Sequence, residues 1–560
     1  MFFRCRPAIR QRFLRLLLML FLGAAGTPLW AQSDTPSDIF REALRDRIGL
    51  PAIQGTLAVG PRDLQAQEEV TRFYLLRAFN PAWIDENGQP SEAAVVFNDR
   101  LGEMTAEGLD PARYRHDDIR ALLAILSQGD RVATLTELVD FELLLTDGWL
   151  TVAAHLLRGR VDPERLYGQW LATPRERDLV MLLDTALASN AIGQALDELL
   201  PAYTAYGRLR AALAQLRAID PASEPPRVAP GPTLRLGAED DRVPAIRRRL
   251  RFFGDLPEDA NLDDTRFDGQ VDAALLSFQA RHGLDADGIF GSGTRNALNT
   301  SLAERSAQIA LNMERFRWLP QKVEARHLRV NIADFRLDLV EDDQPVMTMD
   351  VIVGRAYRQT PVFSGRMTYL VFSPAWHLPP TISRKDILPR LRRDPQSLAA
   401  DGIRVFIDWG ANEREVDPAS VDWHAVPARN IPYHFRQDPG PQNALGRVKF
   451  MFPNRFSVYL HDTPARELFD RTQRDFSSGC IRLERPQDLA THLLLEDPAW
   501  TPDQIAAAMA SGREQTVTLP RPLPVYIYYQ TAWVDDDGAL QFREDIYGRD
   551  QGLLAALALN

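Results

Sequence analysis

Two stretches of the sequence combine residue types that could perform nucleophilic catalysis. His461 precedes a turn marked by Asp462 and Pro464, and nineteen positions after His461 comes Cys480, which follows Gly479. A thiol attacks a carbonyl carbon well only as the thiolate, which a histidine partner stabilises by taking the proton. Backbone N–H groups beside Gly479 could bind an oxyanion, because glycine permits unusual dihedral angles. The same residue types also fit an inert cysteine and an ordinary packed histidine, so both interpretations stay open on residue types alone.

The cysteine count, the composition and the net charge exclude several classes of protein. Two cysteines among 560 residues exclude a disulfide-rich scaffold, an iron–sulfur protein and a cysteine-based zinc protein. Because hydrophobic residues make up 45% of the chain and charged residues 25%, the composition is globular and excludes wholesale disorder. A formal net charge of -11 argues against general nucleic-acid binding. The length predicts several domains.

Residues 1–31 have the layout of a secretory signal peptide. Five arginines precede an apolar stretch at residues 16–25, which is short for a membrane span, and small residues follow. We therefore expect export, with a retained membrane anchor as the alternative. Cleavage would remove Cys5 and change the net charge from -11 to -16, leaving Cys480 as the only thiol. Such a thiol is a partner for another chain, a buried inert residue or a reactive group.

Three kinds of pattern divide the rest of the chain. Apolar residues at helical spacing predict a helical domain over 38–225, which ends in a proline-rich linker. A small unit of three helices is predicted over 234–300. Alternation of apolar and polar residues predicts a β-rich domain over 325–535, followed by a C-terminal tail at 536–560. The predicted fold class is therefore α+β and multidomain. Within the helical domain the periodic stretches are Leu122–Leu126, Leu138–Leu157 and Leu179–Leu199, and His155 among them is expected to be a packed residue.

The β-rich domain must position the two reactive side chains. A strand through Phe456 and Val458 is predicted to end at His461, with Tyr459 on the same face as the histidine. Small residues at 477–479 would let the backbone approach closely before Cys480. Residues 376–446 form a long insertion rich in proline and aromatic residues. It predicts a lid, a structural elaboration packed on its own aromatics, or both.

Residues 234–300 resemble the small three-helix peptidoglycan-binding domain. The matching features are a Leu-Arg-Leu-Gly start, Phe-Gln-Ala-Arg-His-Gly-Leu at the end of the second helix, and Asp-Gly-Ile-Phe-Gly before the third. They occur in the order and at the spacing of that domain. The resemblance implies binding to peptidoglycan, and a generic helical bundle is the alternative.

The histidine and cysteine stretches resemble the L,D-transpeptidase catalytic domain of the YkuD type. His461, Gly479, Cys480 and Arg482 match the family's histidine and its glycine–cysteine–hydrophobic–arginine motif. Ser478 stands where the commoner motif has a second histidine, and this serine form resembles the large periplasmic YcbB-like branch. Flanking pieces that also match that branch are Pro379–Thr381, Arg384–Pro389 and Asn443–Phe450, with weaker matches at Phe73–Tyr74 and Pro81–Trp83. The resemblance implies a helical scaffold domain and a periplasmic location, or the inner membrane if the signal is uncleaved.

This second resemblance implies a cross-linking enzyme of cell wall biogenesis and cell shape. Cys480 would attack the third residue of a tetrapeptide stem, His461 would protonate the departing D-alanine, and the backbone at Gly479 would hold the oxyanion. The side-chain amine of a diamino acid would then convert the thioester into a 3–3 cross-link. The implied substrate-binding residues are Arg482, Ser478 and Tyr459, with a structural ion pair the alternative for Arg482 and ordinary packing the alternative for Tyr459.

The implied partners are the stem peptides and glycan of peptidoglycan, carbapenem-type β-lactams as covalent inhibitors, and other cell-wall enzymes. No metal or organic cofactor is needed. Three other functions fit the same residues. The thioester could go to water, as in an L,D-carboxypeptidase, or to a protein amine. A non-catalytic wall-binding scaffold is the third, although it has no use for a paired histidine and cysteine.

Overall fold

The computed structural model describes residues 36–49, 55–128, 131–168, 170–171 and 175–559. The predicted signal peptide at 1–31, and Cys5 with it, lie outside the described residues. In the described part of the chain, no helix is both long enough and apolar enough to span a membrane. The predicted α+β multidomain fold is confirmed, because helices fill the N-terminal half and strands dominate the C-terminal half.

The N-terminal half is a helical domain with one contiguous apolar core. Its longest helix begins with a capping box, in which Thr134 and Glu137 each accept the other's backbone N–H. The helix predicted over Leu179–Leu199 is two helices, because the chain turns at Asn190, whose φ is 52°. A two-stranded hairpin pairs β1 (Ala58–Val59) with β2 (Arg62–Asp63). The helices are α1 (Pro36–Gly49), α2 (Gln67–Leu76), α3 (Glu92–Gly102), α4 (His116–Gln128), α5 (Leu135–Arg158), α6 (Pro163–Leu166), α7 (Leu179–Ala188), α8 (Ile192–Asp197) and α9 (Thr204–Ala218).

A buried carboxylate on α5 ties the helical domain together. Glu142 accepts the backbone N–H groups of Ala82, Trp83 and Ile84 at 3.0, 2.7 and 3.1 Å. It also accepts the hydroxyl of Tyr74 at 2.7 Å. The two sequence pieces noted in this domain therefore meet at one acceptor, which satisfies backbone donors that would otherwise be buried without a partner.

His155, near the end of α5, predicts a loss of stability in acid. Its Nδ1 lies 3.0 Å from the hydroxyl of Tyr114, as expected for a packed histidine. Burial lowers the pKa of His155 to about 3, and Arg160 acts in the same direction. Below pH ~6.5 the unfolded chain takes up a proton that the folded chain resists until about pH 3, so stability falls as pH falls, by up to about 1.4 kcal/mol per pH unit. We expect His155→Gln to flatten this dependence in urea denaturation between pH 7 and pH 4.

The exposed His424→Gln substitution is the matched control for that measurement. It removes one histidine without touching the buried position. An unchanged pH dependence in His155→Gln would contradict the assignment of acid sensitivity to His155.

The three-helix unit predicted after the linker is present. Its helices are α10 (Val243–Phe252), α11 (Gly269–Arg281) and α12 (Ser292–Leu298). Gly283 has a φ of 64°, the left-handed cap expected at the end of the second helix. The side chain of Gln279 fixes the loop before α12, donating to the carbonyl of Ile289 and accepting from Gly288, both at 3.0 Å. Helix α13 (Leu302–Arg317) then leads into the C-terminal half.

The core of the C-terminal half is a closed eight-stranded β-barrel. Its strands are β3 (Arg326–Asn331), β4 (Arg336–Glu341), β5 (Gln344–Ile352), β6 (Phe363–Phe372), β11 (Val448–Met451), β12 (Leu460–His461), β13 (Ile481–Leu483) and β14 (Gln515–Tyr528). They follow one another around the barrel in the order β11-β12-β13-β5-β4-β3-β14-β6. The pairs β12–β13 and β3–β14 are parallel and the others antiparallel. Two helices pack on this barrel, α16 (Pro486–Leu493) and α17 (Pro502–Ala510), and both come between β13 and β14 in the sequence.

The insertion between β6 and β11 has a small sheet and a core of its own. Its strands β7 (Trp376–His377), β8 (Ile403–Ile407), β9 (Arg414–Val416) and β10 (Tyr433–Gln437) pair in the order β7-β10-β8-β9. Two short helices, α14 (Pro380–Ile382) and α15 (Leu388–Arg393), precede β8. Trp423 and Phe435 are buried in its apolar core, so the insertion packs on its own aromatics as the sequence suggested.

The segment at 536–560, set apart as a tail from the sequence, contains β16 (Leu540–Phe542) and α18 (Arg549–Leu559), and β16 pairs with β15 (Ala532–Val534). Leu553 belongs to the apolar core of the barrel. The buried Arg549 guanidinium lies over the rings of Tyr529 and Tyr547 at 5.0 and 5.1 Å. This segment is therefore structurally part of the β-rich half.

Candidate active site

The candidate nucleophile lies at the parallel strand pair of the barrel. His461 on β12 is opposite Arg482 on β13, and the Ile481 N–H donates to the Tyr459 carbonyl at 3.1 Å. Cys480, one residue before β13, is therefore beside Tyr459. The ring centroids of Tyr459 and His461 are 5.7 Å apart. Tyr459 and Arg482 both act on the thiol of Cys480, so these four side chains lie together on one face of the barrel wall. The structure thus brings together the histidine and the cysteine that the sequence singled out.

The thiol of Cys480 is free and partly buried. Burial raises the pKa of Cys480, whereas hydrogen bonds from the backbone and the phenol of Tyr459 and the charge of Arg482 oppose that increase. The resting thiol is therefore mainly protonated near neutral pH. Its contact with Tyr459 is the strongest influence that favours the thiolate.

His461 is buried, with 4% of its surface exposed. Its Nδ1 donates to the Asp462 carbonyl at 2.5 Å, so the lone pair of the neutral ring is on Nε2. Burial lowers the pKa of His461 to about 3 and Arg482 acts in the same direction, while the carbonyls of Asp462 and Leu445 oppose it. Among the described residues, no hydrogen bond joins His461 to Cys480. The resting pair is therefore neutral, and a proton must move during attack.

The strand predicted through Phe456 and Val458 is wrong, because residues 452–459 form a loop. Oδ1 of Asn454 accepts the N–H groups of Phe456 and Val458 at 3.0 and 3.2 Å. Ser457 has a φ of 55°, which no strand allows. Local side-chain hydrogen bonds thus replace the expected ladder, and only Leu460–His461 is extended.

The loop before Cys480, residues 477–479, is called the cysteine loop below. Hydrogen bonds that the sequence did not predict hold it in place. Ser477 is bridged to Gly354, just after strand β5, and its N–H donates to the Val353 carbonyl at 2.8 Å. The Gly479 N–H donates to the Ser477 hydroxyl at 3.0 Å, and the Gly479 carbonyl accepts the Thr360 hydroxyl at 3.0 Å. The Gly479 N–H, predicted to hold an oxyanion, is therefore occupied in this state. By contrast, the Cys480 N–H has no acceptor among the residues that the structure describes.

Ser478 connects the cysteine loop to the insertion. Its hydroxyl accepts Nη1 of Arg358 at 2.9 Å. The same guanidinium forms a two-point ion pair with Asp386 at 2.6 and 2.7 Å. Asp386 belongs to a π-helical turn, Ser383–Ile387, of the insertion. Ser478 thus has a polar role in the resting structure, at the position where the commoner motif has histidine.

Arg482 is a partly buried cation without a carboxylate partner. In the described part of the chain it forms no ion pair, and its Nε is buried without a hydrogen-bond partner. Burial and then the charge of Arg355 lower the pKa of Arg482. The structure therefore does not support the structural ion pair considered from the sequence. Arg482, whose charge acts on the thiol, and Arg355, whose charge acts on Arg482, instead form a region that would attract a carboxylate.

Tyr459 touches both the thiol and the insertion. Its phenol hydrogen-bonds with Cys480 and with the side chain of Trp376 on β7. Its ring centroid lies 5.7 Å from that of His461. Tyr459 therefore lies beside His461 and Cys480, as the sequence predicted. Burial raises the pKa of its phenol.

Tyr459→Phe is expected to slow alkylation of Cys480 by iodoacetamide. Loss of the phenolic hydrogen bond raises the pKa of the thiol further, so less thiolate is present at pH 8. The rate should fall about three- to tenfold, the value of one hydrogen bond. Tyr369→Phe on β6 is the matched control. An equal rate in Tyr459→Phe and the parent protein would contradict a contact between the phenol and the thiol.

Sequence reasoning missed Ser477, Thr360 and Arg358 as supports of the cysteine loop. No motif identifies them, because Thr360 and Arg358 lie about 120 positions before the residues that they contact. In the described ranges, no group of three or more His, Cys, Asp or Glu side chains could hold a metal ion.

The fold and the site together define a class of protein. Its C-terminal β-barrel carries a cysteine and a histidine on one face of a parallel strand pair, and a helical domain and a three-helix unit precede the barrel in the sequence. Residues 325–502 match the family model of the L,D-transpeptidase catalytic domain, YkuD. Residues 239–298 match the model of a peptidoglycan binding domain, and residues 68–213 match the scaffold domain. The resemblances stated from the sequence are confirmed.

A protein of Haemophilus influenzae named "Putative L,D-transpeptidase" is 34% identical over 244 residues, which cover 44% of this chain and 48% of the relative. The chain thus spans about half the length of the curated relative it matches. A crystal structure of the L,D-transpeptidase from Xylanimonas cellulosilytica is 15% identical, covering 54% of this chain and 100% of that one, with a TM-score of 0.17. A fused amidase and peptidoglycan-binding protein of Clostridium acetobutylicum is 12% identical, covering 53% of this chain and 100% of that one, with a TM-score of 0.14.

Proposed function

We propose that this chain is a peptidoglycan L,D-transpeptidase with Cys480 as its nucleophile. The observation that carries the proposal is the common face of Cys480, His461, Tyr459 and Arg482 inside a domain of the L,D-transpeptidase family. A peptidoglycan binding domain in the same chain suits a substrate in the wall. Both features point to acyl transfer on stem peptides.

In the first half-reaction, the thiol of Cys480 attacks the carbonyl of the third residue of a tetrapeptide stem. Nε2 of His461 takes the thiol proton as the C–S bond forms, and the Cys480 N–H holds the oxyanion. The bond to the terminal D-alanine then breaks, and His461 passes the proton to the leaving amine. A thioester and free D-alanine are the products.

In the second half-reaction, the side-chain amine of a diamino acid on another stem attacks the thioester. The amide bond of a 3–3 cross-link forms, the C–S bond breaks, and the released proton returns to Cys480 through His461. Arg482 binds a carboxylate of the stem, and Ser478 keeps the cysteine loop connected to Arg358. Gly479 contributes its N–H to the oxyanion site once the Ser477 hydroxyl releases it.

The proposal includes a location and partners. Export through residues 1–31 would place the enzyme in the periplasm, or at the inner membrane if the segment is retained. Its partners are then the stem peptides and glycan of peptidoglycan and other cell-wall enzymes, with a role in cell shape. Fractionation of cells that express the tagged full chain tests this, and a cytoplasmic protein would contradict it.

The deciding experiment incubates the purified full chain with disaccharide-tetrapeptides and identifies the products by mass spectrometry. Dimers with a 3–3 link and released D-alanine are the expected result. Shortened monomers alone would indicate an L,D-carboxypeptidase, and no product at all would indicate a wall-binding scaffold. A carbapenem should add its mass to Cys480, because its strained carbonyl imitates the donor carbonyl.

A further inference from the structure

The small sheet of the insertion has two unlike faces. One face is buried in the apolar core of the insertion through Val405 and Phe435. The opposite face carries the alternate residues of the same strands, among them Phe406 on β8 and His434 on β10, which are directly paired. A third aromatic side chain, Trp409, follows β8. The residues of this second face have no role in the reaction proposed for Cys480.

Trp409 is a rigid and open aromatic surface. Its ring stacks on His434 with the centroids 3.8 Å apart and an angle of 17°. His434 stacks in turn on Phe406, with centroids 5.5 Å apart. Yet 68% of Trp409 is exposed, so one face of the indole is covered and the other faces solvent. A large aromatic ring held in place with one open face is prepared to stack on a flat ligand.

A network of charged groups holds this stack and offers hydrogen bonds around it. Glu413 accepts from Nε2 of His434 and from Arg436, both at 2.8 Å. Arg436 also donates to Asp438 at 3.0 Å, and its guanidinium lies 4.1 Å from the Phe406 centroid. His434 is only 7% exposed, and its Nδ1 is buried without a hydrogen-bond partner. Buried polar atoms without a partner are uncommon in folded proteins, and this one lies at the centre of the stack.

The charges around Trp409 decide which ligand class fits. The network holds three carboxylates, including Glu415, against two guanidinium groups, of which Arg404 pairs with Glu415 and Asp438. An anionic peptide or a nucleic acid is therefore not favoured. A docked protein would need a broad apolar patch, whereas here one ring is surrounded by ion pairs. A neutral, hydroxyl-rich ring fits, because its polarised C–H groups pack on the indole face and its hydroxyls reach the charged rim.

The face continues towards the cysteine site. His377 on β7 is directly opposite Arg436 on β10. Burial lowers the pKa of His377, and the charges of Arg436 and Lys449 act in the same direction, so this end of the sheet lies near Lys449. Lys449 on β11 is directly opposite His461 on β12. A polymer on the outer face of the sheet would therefore approach the barrel wall that carries the catalytic residues.

We propose that the sheet face with Trp409, His434 and Phe406 binds the glycan strand of peptidoglycan through neutral N-acetylated sugar rings. Trp409 supplies the stacking surface, and Glu413 and Arg436 supply hydrogen bonds to the hydroxyl and acetamido groups. The choice of polymer rests on the proposed function, whereas the choice of a neutral sugar rests on the geometry and charge of the face. This site is separate from the family-model match at 239–298.

A fluorine resonance at Trp409 tests the proposal without any use of catalysis. The full chain with Cys480→Ala is labelled with 5-fluorotryptophan, and Trp409→Phe assigns one of the ten tryptophan signals. The probe is chitohexaose, a neutral hexamer of N-acetylglucosamine. We expect the Trp409 signal to move with saturation as chitohexaose is added. Trp409→Ala, which lacks that signal, should bind chitohexaose about tenfold more weakly by isothermal titration calorimetry, the value of one lost aromatic contact.

Leu495→Ala is the matched control, since Leu495 is a comparably exposed apolar side chain on the β-rich half. A Trp409 signal that stays fixed while other signals move would overturn the proposal, because the sugar would then bind elsewhere. Movement with a stem tetrapeptide but not with chitohexaose would also overturn it, as would movement with protein concentration alone. Because the readout uses an inactive variant, failure of the proposed transpeptidation would leave this test unaffected.

Discussion

Cys480→Ala is expected to abolish formation of 3–3 cross-links and release of D-alanine while the protein stays folded. Cys480 is the only thiol in the described part of the chain, and it directly precedes β13, the strand that pairs with His461. Removal of a covalent nucleophile commonly costs a factor of about 10⁴ to 10⁶ in kcat. The same variant should fail to gain the mass of a carbapenem. Product analysis and intact-protein mass spectrometry measure the two losses separately.

The control for Cys480→Ala is a binding measurement on the same sample. Binding to insoluble peptidoglycan through residues 239–298 should be unchanged, which shows that the variant is folded. Full product formation by Cys480→Ala would contradict the nucleophile assignment. Loss of wall binding together with activity would instead indicate misfolding, and Cys480→Ser, which keeps the volume and polarity, then repeats the test.

Local signals in the sequence predicted the parts of the fold that depend on neighbouring residues. The three-helix unit is such a case, because Gly283 and the Asp287–Gly291 turn encode its caps within a few positions. The pair of His461 and Cys480 is a second such case, because the motif around Cys480 is contiguous in the sequence. The structure contains the three-helix unit and places His461 and Cys480 at neighbouring strands, and their catalytic role stays a prediction.

Long-range hydrogen bonds could not be predicted in the same way. The sequence around Phe456 alternates like a strand, yet Asn454 captures the backbone and turns it into a loop. Thr360 and Arg358 support the cysteine loop from a turn that the barrel alone brings close. In the same way, Leu553 belongs to the barrel core although it lies in an apparent tail. Each of these features depends on which distant strand becomes a neighbour.

Gly354→Ala is expected to reduce kcat/KM by about a hundredfold or more while the barrel stays folded. Gly354 is bridged to Ser477, three residues before the nucleophile. A Cβ atom at 354 would lie 2.1 Å from the Arg358 carbonyl and 3.0 Å from the Cα of Gly479. Both neighbours are backbone atoms, so no side chain can rotate away. The 354–360 turn must therefore shift, and the cysteine loop packed on it shifts as well; a shift of about 1 Å in a reacting group can cost about a hundredfold in rate.

The contacts of Gly354 show why this shift reaches the thiol. Its N–H donates to the Thr360 hydroxyl at 2.9 Å, and that hydroxyl donates to the Gly479 carbonyl at 3.0 Å. Movement at 354 therefore passes through one side chain to the residue before Cys480. Gly207→Ala in α9 is the matched control, because nothing lies within 4 Å of the added methyl group. Steady-state kinetics on a soluble tetrapeptide, with thermal unfolding of both variants, measures the effect. A folded Gly354→Ala protein with the parental rate would show that the cysteine loop tolerates displacement and that its close packing on the 354–360 turn does not set the position of the thiol.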